Sequence, residues 1–544
     1  METLEMFDDV LEEKFEADVA IDQQVDFTVL DGRFNSIGQC EKTVRVSTKS
    51  SIVKSKLYGK WGPAKTAPAR LRPFEKDGER IDPFDIGLSK YCTPHVPIDT
   101  ELMKIIVCHV GDDLNRESPV QVDKRILTFE EAVVGIEGEP LYGSIPRNTS
   151  PGFPHVVAEG KKEPGKTKWF GKDQEYDLEN PECQSLKTRV ASIEWDAKMN
   201  VRNLHIFCDY LKDERRTHEK NAKGSTRIIS ACPLELTIIV RQYFGAFTLW
   251  FQKNKIGNGS AIGLNPYSFD WQTLAQKLRQ HGPKCGAGDY SKYDGSQQPE
   301  IHWAILELIQ RWYDDDAANQ QVRKVLWEEL VNSRHIRGNR VYEWVSSLPS
   351  GFALTTLINI LVGFVNMRYA WFRAHDNDIC SLSRFTEHVY VCELGDDVIF
   401  NFSDACSHAF NEVTISKFLA EIGFTYTDED KNVGSLVESR ALEDCSFLKR
   451  GFRVEPILDR YVAPLALESL LESPYWTSEG NQKDTITKTT LETSLIELSL
   501  HGEEVFDKWA PKMIQAYYSV YSEPLTFTSR TVLVYRSDGY LQEW

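Results

Sequence analysis

Between Glu387 and Phe402, apolar and polar residues alternate on both sides of Gly395-Asp396-Asp397, a pattern that predicts a β-hairpin with two adjacent carboxylates at its tip. The run Cys285-Gly286-Ala287-Gly288-Asp289 reads as a second strand ending in an acid. A helix follows it, with Ile301, Ala304, Ile305, Leu308, Ile309 and Trp312 on one face. Asp294 falls between the two, where capping a helix is the ordinary fate of an acid, and Ser296 suits that role as well. Ala353 to Phe372 is apolar and long enough to be weighed as a membrane span. Asn359, Asn366 and Arg368 would be costly in lipid, so the expectation is a buried helix that turns its polar side toward a site. Thr355 and Asn359 are four apart and share a face of it. Val413, Ile415, Phe418, Leu419 and Ile422 predict another amphipathic helix, followed by a strand from Phe424 to Thr427 and a hairpin from Phe447 to Phe452.

Toward the C-terminus the pattern predicts helices over Leu465–Leu471, Thr485–Leu500 and Glu503–Tyr518, the last interrupted at Pro511, and then a β-type stretch at 525–536. At the other end, Leu4, Phe7, Val10, Leu11 and Phe15 recur at roughly helical spacing, which fits an amphipathic helix or a partner-binding tail. Residues 45–75, rich in Lys, Pro and Gly, read as an extended arm without a core of its own.

A chain of 544 residues with 41% hydrophobic and 26% charged residues is globular and large enough for several subdomains. Met1 is followed by acids rather than a basic and then apolar run, so no cleavable signal is expected. The 11 cysteines include no Cys-x-x-Cys pair, which argues against a disulfide framework or a zinc ribbon and for a reducing, intracellular setting.

The net charge of −18 reads at first as unfavourable for a nucleic-acid binder, but residues 1–26 alone carry ten acids against Lys14. Basic blocks follow: ten Lys/Arg against three acids from Arg45 to Arg80, five Lys against Glu163 from Lys161 to Lys172, and six cations against three acids from Lys212 to Arg227. Local field governs polyphosphate binding, and separated basic stretches can line one groove; solvated surface is the ordinary alternative.

Adjacent acids such as Asp396 and Asp397 repel each other, and a hard divalent cation such as Mg²⁺ relieves that repulsion. Thr149-Ser150-Pro151-Gly152-Phe153-Pro154 is a turn-rich loop whose hydroxyls, glycine amide and aromatic ring suit contact with a nucleic-acid backbone and a base. Gly160 to Thr167 matches the G-x-x-x-x-G-K-[ST] phosphate loop, yet Pro164 removes a backbone donor and no amphipathic helix follows Lys166, so a nucleotide cradle is not expected there. The Lys and Arg residues from Lys212 to Arg227, interleaved with orienting acids, suit a triphosphate. If the strand ending in Asp289 packs beside the Asp396 hairpin, their carboxylates meet, and such acids can hold a pair of metal ions for nucleotidyl transfer.

In order and in content these motifs resemble those of RNA-dependent RNA polymerases of picorna-like positive-strand viruses, especially the dicistrovirus and iflavirus groups, from about residue 70 to about residue 520. The resemblance implies an α+β fold in the form of a closed right hand with fingers, palm and thumb, the palm an antiparallel sheet backed by helices. It implies fingers over 45–283 with some palm crossing, palm over 284–455 with a fingers insertion between 300 and 350, and a helical thumb and tail over 456–544, which leaves 1–44 as an acidic N-terminal extension of open role. By the same resemblance Asp289, Asp396 and Asp397 are metal ligands for Mg²⁺, with Mn²⁺ as a substitute, and Lys431 protonates the departing pyrophosphate. Lys212, Arg216 and Arg227 hold the triphosphate, while Asp294, Ser350, Thr355 and Asn359 recognise the ribose 2′-hydroxyl. Thr149, Ser150, Gly152, Lys220, Lys223 and Gly351 contact RNA, and Lys449 and Arg450 grip the primer near its 3′ end. The implied partners are an RNA template and primer, ribonucleoside triphosphates, a protein primer and other viral replication proteins. The implied setting is the host cytoplasm, at membrane-associated replication complexes reached through partners. Ser225 stands where vertebrate picornavirus relatives commonly carry Lys, a contact that is missing or supplied by Lys223, and residues 1–44 have no counterpart.

Three other readings compete. A reverse transcriptase shares the palm acids but typically has a bulky aromatic gate where this chain has Asp294. A P-loop helicase built on Gly160 to Thr167 leaves Asp289, Asp294 and Asn359 without a role, and a non-catalytic RNA-binding module has no need of buried acids.

Overall fold

Small residues decide how the central sheet packs. In the strand Cys285–Ser291, a Cβ on Gly286 would meet the Phe400 ring at 2.4 Å and one on Gly288 would meet Tyr426 at 2.4 Å. The two glycines therefore let aromatic rings lie against the strand. Its neighbours are the hairpin strand Asp397–Phe402 on one side and Thr425–Thr427 on the other, both antiparallel, and Val389–Leu394 completes the four-stranded sheet. One face of the sheet, with Val391, Phe400 and Tyr426, shares a buried cluster with Ile305, Ile358, Val362, Ile415 and Leu419 of three helices. The other face, with Ala287, Cys392 and Ile399, packs against Trp271, Leu274, Phe447 and Phe452. Each fully buried large apolar side chain of this kind contributes about 1.5–3 kcal/mol, so the sheet is a rigid platform for what its ends carry.

The structure is a computed structural model and describes residues 19–20, 34–91, 95–157, 165–431 and 434–538. The expected N-terminal amphipathic segment and Pro164 lie outside the described residues. A six-stranded sheet gathers Val19–Ala20, Phe34–Cys40, Arg340–Trp344, Arg334–Arg337, Ile206–Leu211 and Ile228–Ala231 in that order. Residues 34–40 are thus built into a sheet with residues 334–344.

The Thr355–Ala374 helix is buried along nearly its whole length, and its Arg368 is neutralised by Asp113, with Nη2 2.6 Å from Oδ2. Among the described residues no helix is long and apolar enough to cross a membrane. The basic arm has no core of its own but borrows one. Ile52–Lys54 pairs with Trp476–Ser478, Leu57 is fully buried among Leu470, Leu491, Leu495 and Met513, and Trp61 Nε1 donates to the Leu471 carbonyl. This contact ties residues 52–61 to the C-terminal helices.

Two C-terminal expectations are corrected. Residues 530–537 form a helix rather than a strand, because Leu533 and Val534 are buried against the preceding helices and that packing outweighs β-branched propensity. The Glu503–Tyr521 helix runs through Pro511 without a break, anchored on both sides by buried Phe506, Ala510 and Met513.

Candidate active site

Leu394 pairs with Asp397 across a two-residue loop, Gly395-Asp396, and Gly395 adopts φ 67°, the left-handed conformation that such a tight hairpin requires at its first position. One step beyond the Gly288–Val398 pair, the neighbouring strand delivers Asp289 to the same end of the sheet. Lys431 arrives from the turn after Thr425–Thr427, itself at φ 68°, and places Nζ 2.7 Å from Asp289 Oδ2 and 3.9 Å from Asp396 Oδ2. Asp289 is 5% exposed and its Oδ1 has no hydrogen-bond partner. Burial, then the Asp396 charge, pushes its carboxyl up to about 7 against the pull of Lys431, and burial followed by Asp396 raises Asp397 to about 6. Among the described residues no three acidic, His or Cys side chains form a ready-made metal cage, as expected of carboxylates that repel each other and share one ammonium. A buried orphan carboxylate oxygen, facing further hard oxygen donors, is nevertheless a donor set that fits Mg²⁺.

Beside the acids, Asn359 Nδ2 donates to Asp294 Oδ1 at 3.0 Å. Asp294 does not cap the following helix, which begins at Pro299 with Gln298 in the cap position. Burial raises the Asp294 carboxyl to about 6, held back by the Asn359 hydrogen bond. The other two residues expected in this group are used elsewhere. Ser350 Oγ accepts from the Ser230 backbone N–H at 3.1 Å, and Thr355 Oγ1 donates to the Pro349 and Phe352 carbonyls at 2.8 and 2.9 Å. Thr355 therefore closes its own helix terminus, although it shares a face with Asn359. Gly351 sits so close to Ser230 that a Cβ would approach its carbonyl oxygen to 1.9 Å, which ties the Ser350-Gly351 turn to the basic strand.

The basic segment surrounds the acids with positive charge. Glu214 accepts from Arg227 Nε at 2.8 Å and lies 3.6 Å from Arg216, whose own Nε donates to the Ser225 carbonyl at 3.0 Å. Arg227 feels the charges of Asp396 and Asp294, and Lys220 those of Lys431 and Lys449, so these cations lie near the carboxylate end of the sheet. The Lys212 backbone N–H donates to the Arg227 carbonyl at 2.8 Å, which holds the two ends of the segment together. Lys223, one of the two readings for the lysine missing at Ser225, is exposed and paired with Glu219 at 2.6 Å. Lys90, which the sequence pattern did not single out, does reach that place. Its Nζ is 3.3 Å from Ser225 Oγ, and burial together with Arg216, Arg227 and Lys220 lowers it to about 8. No local signal marks Lys90, because its neighbours lie more than 120 residues away.

The Thr149–Pro154 loop is held rigidly. Thr149 Oγ1 donates to the Pro146 carbonyl at 2.9 Å, and Ser150 Oγ accepts from the Gly152 N–H at 3.2 Å. Gly152, at φ 76°, lies where a Cβ would meet the Cys232 oxygen at 2.5 Å. Phe153 is buried in the core and does not present a ring to a base. Lys166, from the phosphate-loop match, is 5% exposed and donates from Nζ to the Thr149 carbonyl at 3.1 Å; only a four-residue helix, Thr167–Phe170, follows it. Its ammonium is spent on protein.

At the remaining hairpin, Leu448 and Lys449 take φ 56° and 60°, a tight turn closed by the Phe447–Arg450 pair. Arg450 makes a bidentate ion pair with Glu497 at 2.7 and 3.0 Å and lies over Tyr267, so it braces this turn against the C-terminal helices and is not offered to a primer. Lys449 is exposed, and its charge is felt by Asp397.

The chain as a whole is similar to known proteins. The family model for viral RNA-dependent RNA polymerase matches residues 64–521. The chain is 35% identical over 505 residues to the replicase polyprotein of Drosophila C virus, covering 90% of this chain and 28% of that one. It is 34% identical over 515 residues to the replicase polyprotein of acute bee paralysis virus, covering 93% and 26%. The chain thus spans about a quarter of the length of these curated relatives. The solved structure of the Sicinivirus 3Dpol RNA-dependent RNA polymerase matches with a TM-score of 0.76 at 21% identity, over 93% of this chain and 99% of that one, which establishes the right-hand fold. With the family model spanning most of the chain, this protein belongs to the viral RNA-dependent RNA polymerase family.

Proposed function

We propose that the chain synthesises RNA on an RNA template, adding ribonucleotides to the 3′ end of an RNA or protein primer by a two-metal mechanism in the replication of a viral genome. The observation that carries this reading is the meeting of Asp289 and Asp396 across Lys431, ringed by Arg216, Lys220 and Arg227. Asp289, Asp396 and Asp397 are the residues that would hold Mg²⁺, or Mn²⁺ in its place. When bound, the ions would activate a 3′-hydroxyl and offset charge on the phosphates. The chain's own groups supply the rest. Lys90, Lys212, Arg216 and Arg227 neutralise and orient a triphosphate, Asp294 and Asn359 meet the ribose 2′-hydroxyl, and Lys431 donates a proton to departing pyrophosphate. Thr149, Ser150, Gly152, Lys220, Gly351 and Lys449 line the path for RNA.

In this reading residues 45–283 are fingers, joined by 34–40 and by an insertion within 300–350; 284–455 are palm, and 456–544 are thumb and tail. Other viral replication proteins would bring it to membranes in the host cytoplasm. Extension of a primed RNA with ribonucleotides and Mg²⁺ tests the proposal. Equal use of deoxyribonucleotides would favour a reverse transcriptase, and template-independent ATP hydrolysis without extension would favour a helicase.

A further inference from the structure

Behind the Asp294–Asn359 pair a chain of hydrogen bonds continues into the core. Asn359 Oδ1 accepts from Gln297 Nε2, and Gln297 Oε1 lies 2.6 Å from His302 Nε2. Gln297 and His302 are both fully buried, and His302 Nδ1 has no partner. The backbone on either side is fixed as well, since Tyr293 OH donates to the Asn359 carbonyl at 2.8 Å and the Asp294 carbonyl accepts from the Leu348 N–H at 2.9 Å.

Donor and acceptor chemistry gives this chain one direction. An ionised Asp294 can only accept, so Asn359 must turn its NH₂ toward Asp294 and its carbonyl toward Gln297. Gln297 then faces Asn359 with its NH₂ and His302 with its carbonyl, which requires an N–H at His302 Nε2. Burial lowers the imidazole to about 3, so the ring is neutral and carries a single proton. Turning every amide over would move that proton to Nδ1, where it would be a buried N–H with no acceptor. In the present direction Nδ1 is merely an unused lone pair, the less costly orphan.

We propose that His302 and Gln297 are positioning residues for sugar selection: the imidazole N–H at the closed end of the chain favours the one direction in which Asn359 turns its NH₂ to Asp294, and so clamps that carboxylate in place as the acceptor for a ribose 2′-hydroxyl. This rests on the assignment of Asp294 and Asn359 to the sugar. Neither His302 nor Gln297 touches the nucleotide, so their effect is on selectivity rather than on chemistry.

Single-nucleotide incorporation of ATP and 2′-deoxyATP opposite a templating uridine tests this. The readout is the ratio of the two kcat/KM values, which does not depend on the fraction of enzyme that is active. His302→Phe and Gln297→Met each remove one link, and the ratio is expected to fall about fivefold, the size of a modest hydrogen-bond contribution. The loss should fall on ATP, through KM. His302→Gln, which keeps an amide donor, should retain most of the ratio; a loss as large as that of His302→Phe overturns the role of the N–H. If Asn359→Ala narrows the ratio while His302→Phe and Gln297→Met leave it unchanged, the chain has no part in selection and the sugar assignment stands. If none of the three changes it, the sugar assignment itself fails and this proposal with it. Should His302→Phe not fold, Gln297→Met decides.

Discussion

The ammonium of Lys431 lies 2.7 Å from the carboxylate of Asp289, although the two residues sit on opposite sides of a strand pair 142 positions apart in sequence. The ammonium meets one oxygen of that carboxylate and leaves the other without a partner. A cation at this place offsets the repulsion between Asp289 and Asp396, and Lys431 supplies it from the protein itself. Lys431→Met should lower the rate of incorporation about 10²-fold, the usual worth of a positioned general acid. It should also enlarge the rise in Tm on adding Mg²⁺, because no ammonium then competes for the carboxylates. Rapid-quench kinetics and thermal unfolding with and without Mg²⁺ check both, and an unchanged rate would remove Lys431 from the chemistry.

Sugar selection should depend on pH. Burial raises Asp294 from 3.8 to about 6, so the folded protein binds more protons than the unfolded chain between these values, and this group costs stability as pH rises through that window. The ionised carboxylate present above about 6 is the form that can only accept from a 2′-hydroxyl. The ATP to 2′-deoxyATP ratio should therefore rise as pH increases from 5 to 7 and then level off, and Asp294→Asn should abolish the dependence. A flat profile in the wild type would show that Asp294 does not sense the sugar.

Arg450 and Lys449 are neighbours with different tasks. Arg450→Ala leaves Glu497, which is nearly fully buried, without its bidentate partner, and should cost about 3 kcal/mol in denaturant unfolding. Lys449→Ala should leave stability unchanged and weaken RNA binding, with a smaller dependence on salt. Matched denaturation and salt-titrated binding measurements separate the two, and equal stability of both variants would contradict the brace.

Lys166 gives a third contrast. Its hydrogen bond to the Thr149 carbonyl holds the loop, so Lys166→Met should weaken template binding by about three- to tenfold with the slope of affinity against salt unchanged. A slope reduced by about one would mean that Lys166 itself meets a phosphate.

Much of the site could be read along the chain because its parts are local. The alternation around Gly395 marked the hairpin, the strand ending in Asp289 preceded an amphipathic helix, and Asn359 stood out as a polar residue on an apolar helix. What could not be read depends on partners distant in sequence. Arg450 was expected at the primer because Glu497 is 47 positions away, and Lys90 was not singled out because Ser225 is 135 away. Ser350 and Thr355 had the right residue type and spacing, but backbone groups took their hydroxyls, a competition that a helix-face argument does not include. The 530–537 helix was missed because Thr531, Val532, Val534 and Tyr535 favour strands locally, while burial of Leu533 and Val534 against other helices decided the outcome.

If Asp289 and Asp396 form one catalytic centre for RNA synthesis, neither Asp289→Asn nor Asp396→Asn extends a primed RNA. Each substitution keeps the size of the side chain and one acceptor oxygen but removes a charge, and with it the repulsion that adds to burial in raising Asp289, so the fold should be retained. Both variants should bind primed RNA with near wild-type affinity and incorporate no nucleotide at millimolar Mg²⁺. Extension by either one at a rate close to wild type would contradict the account.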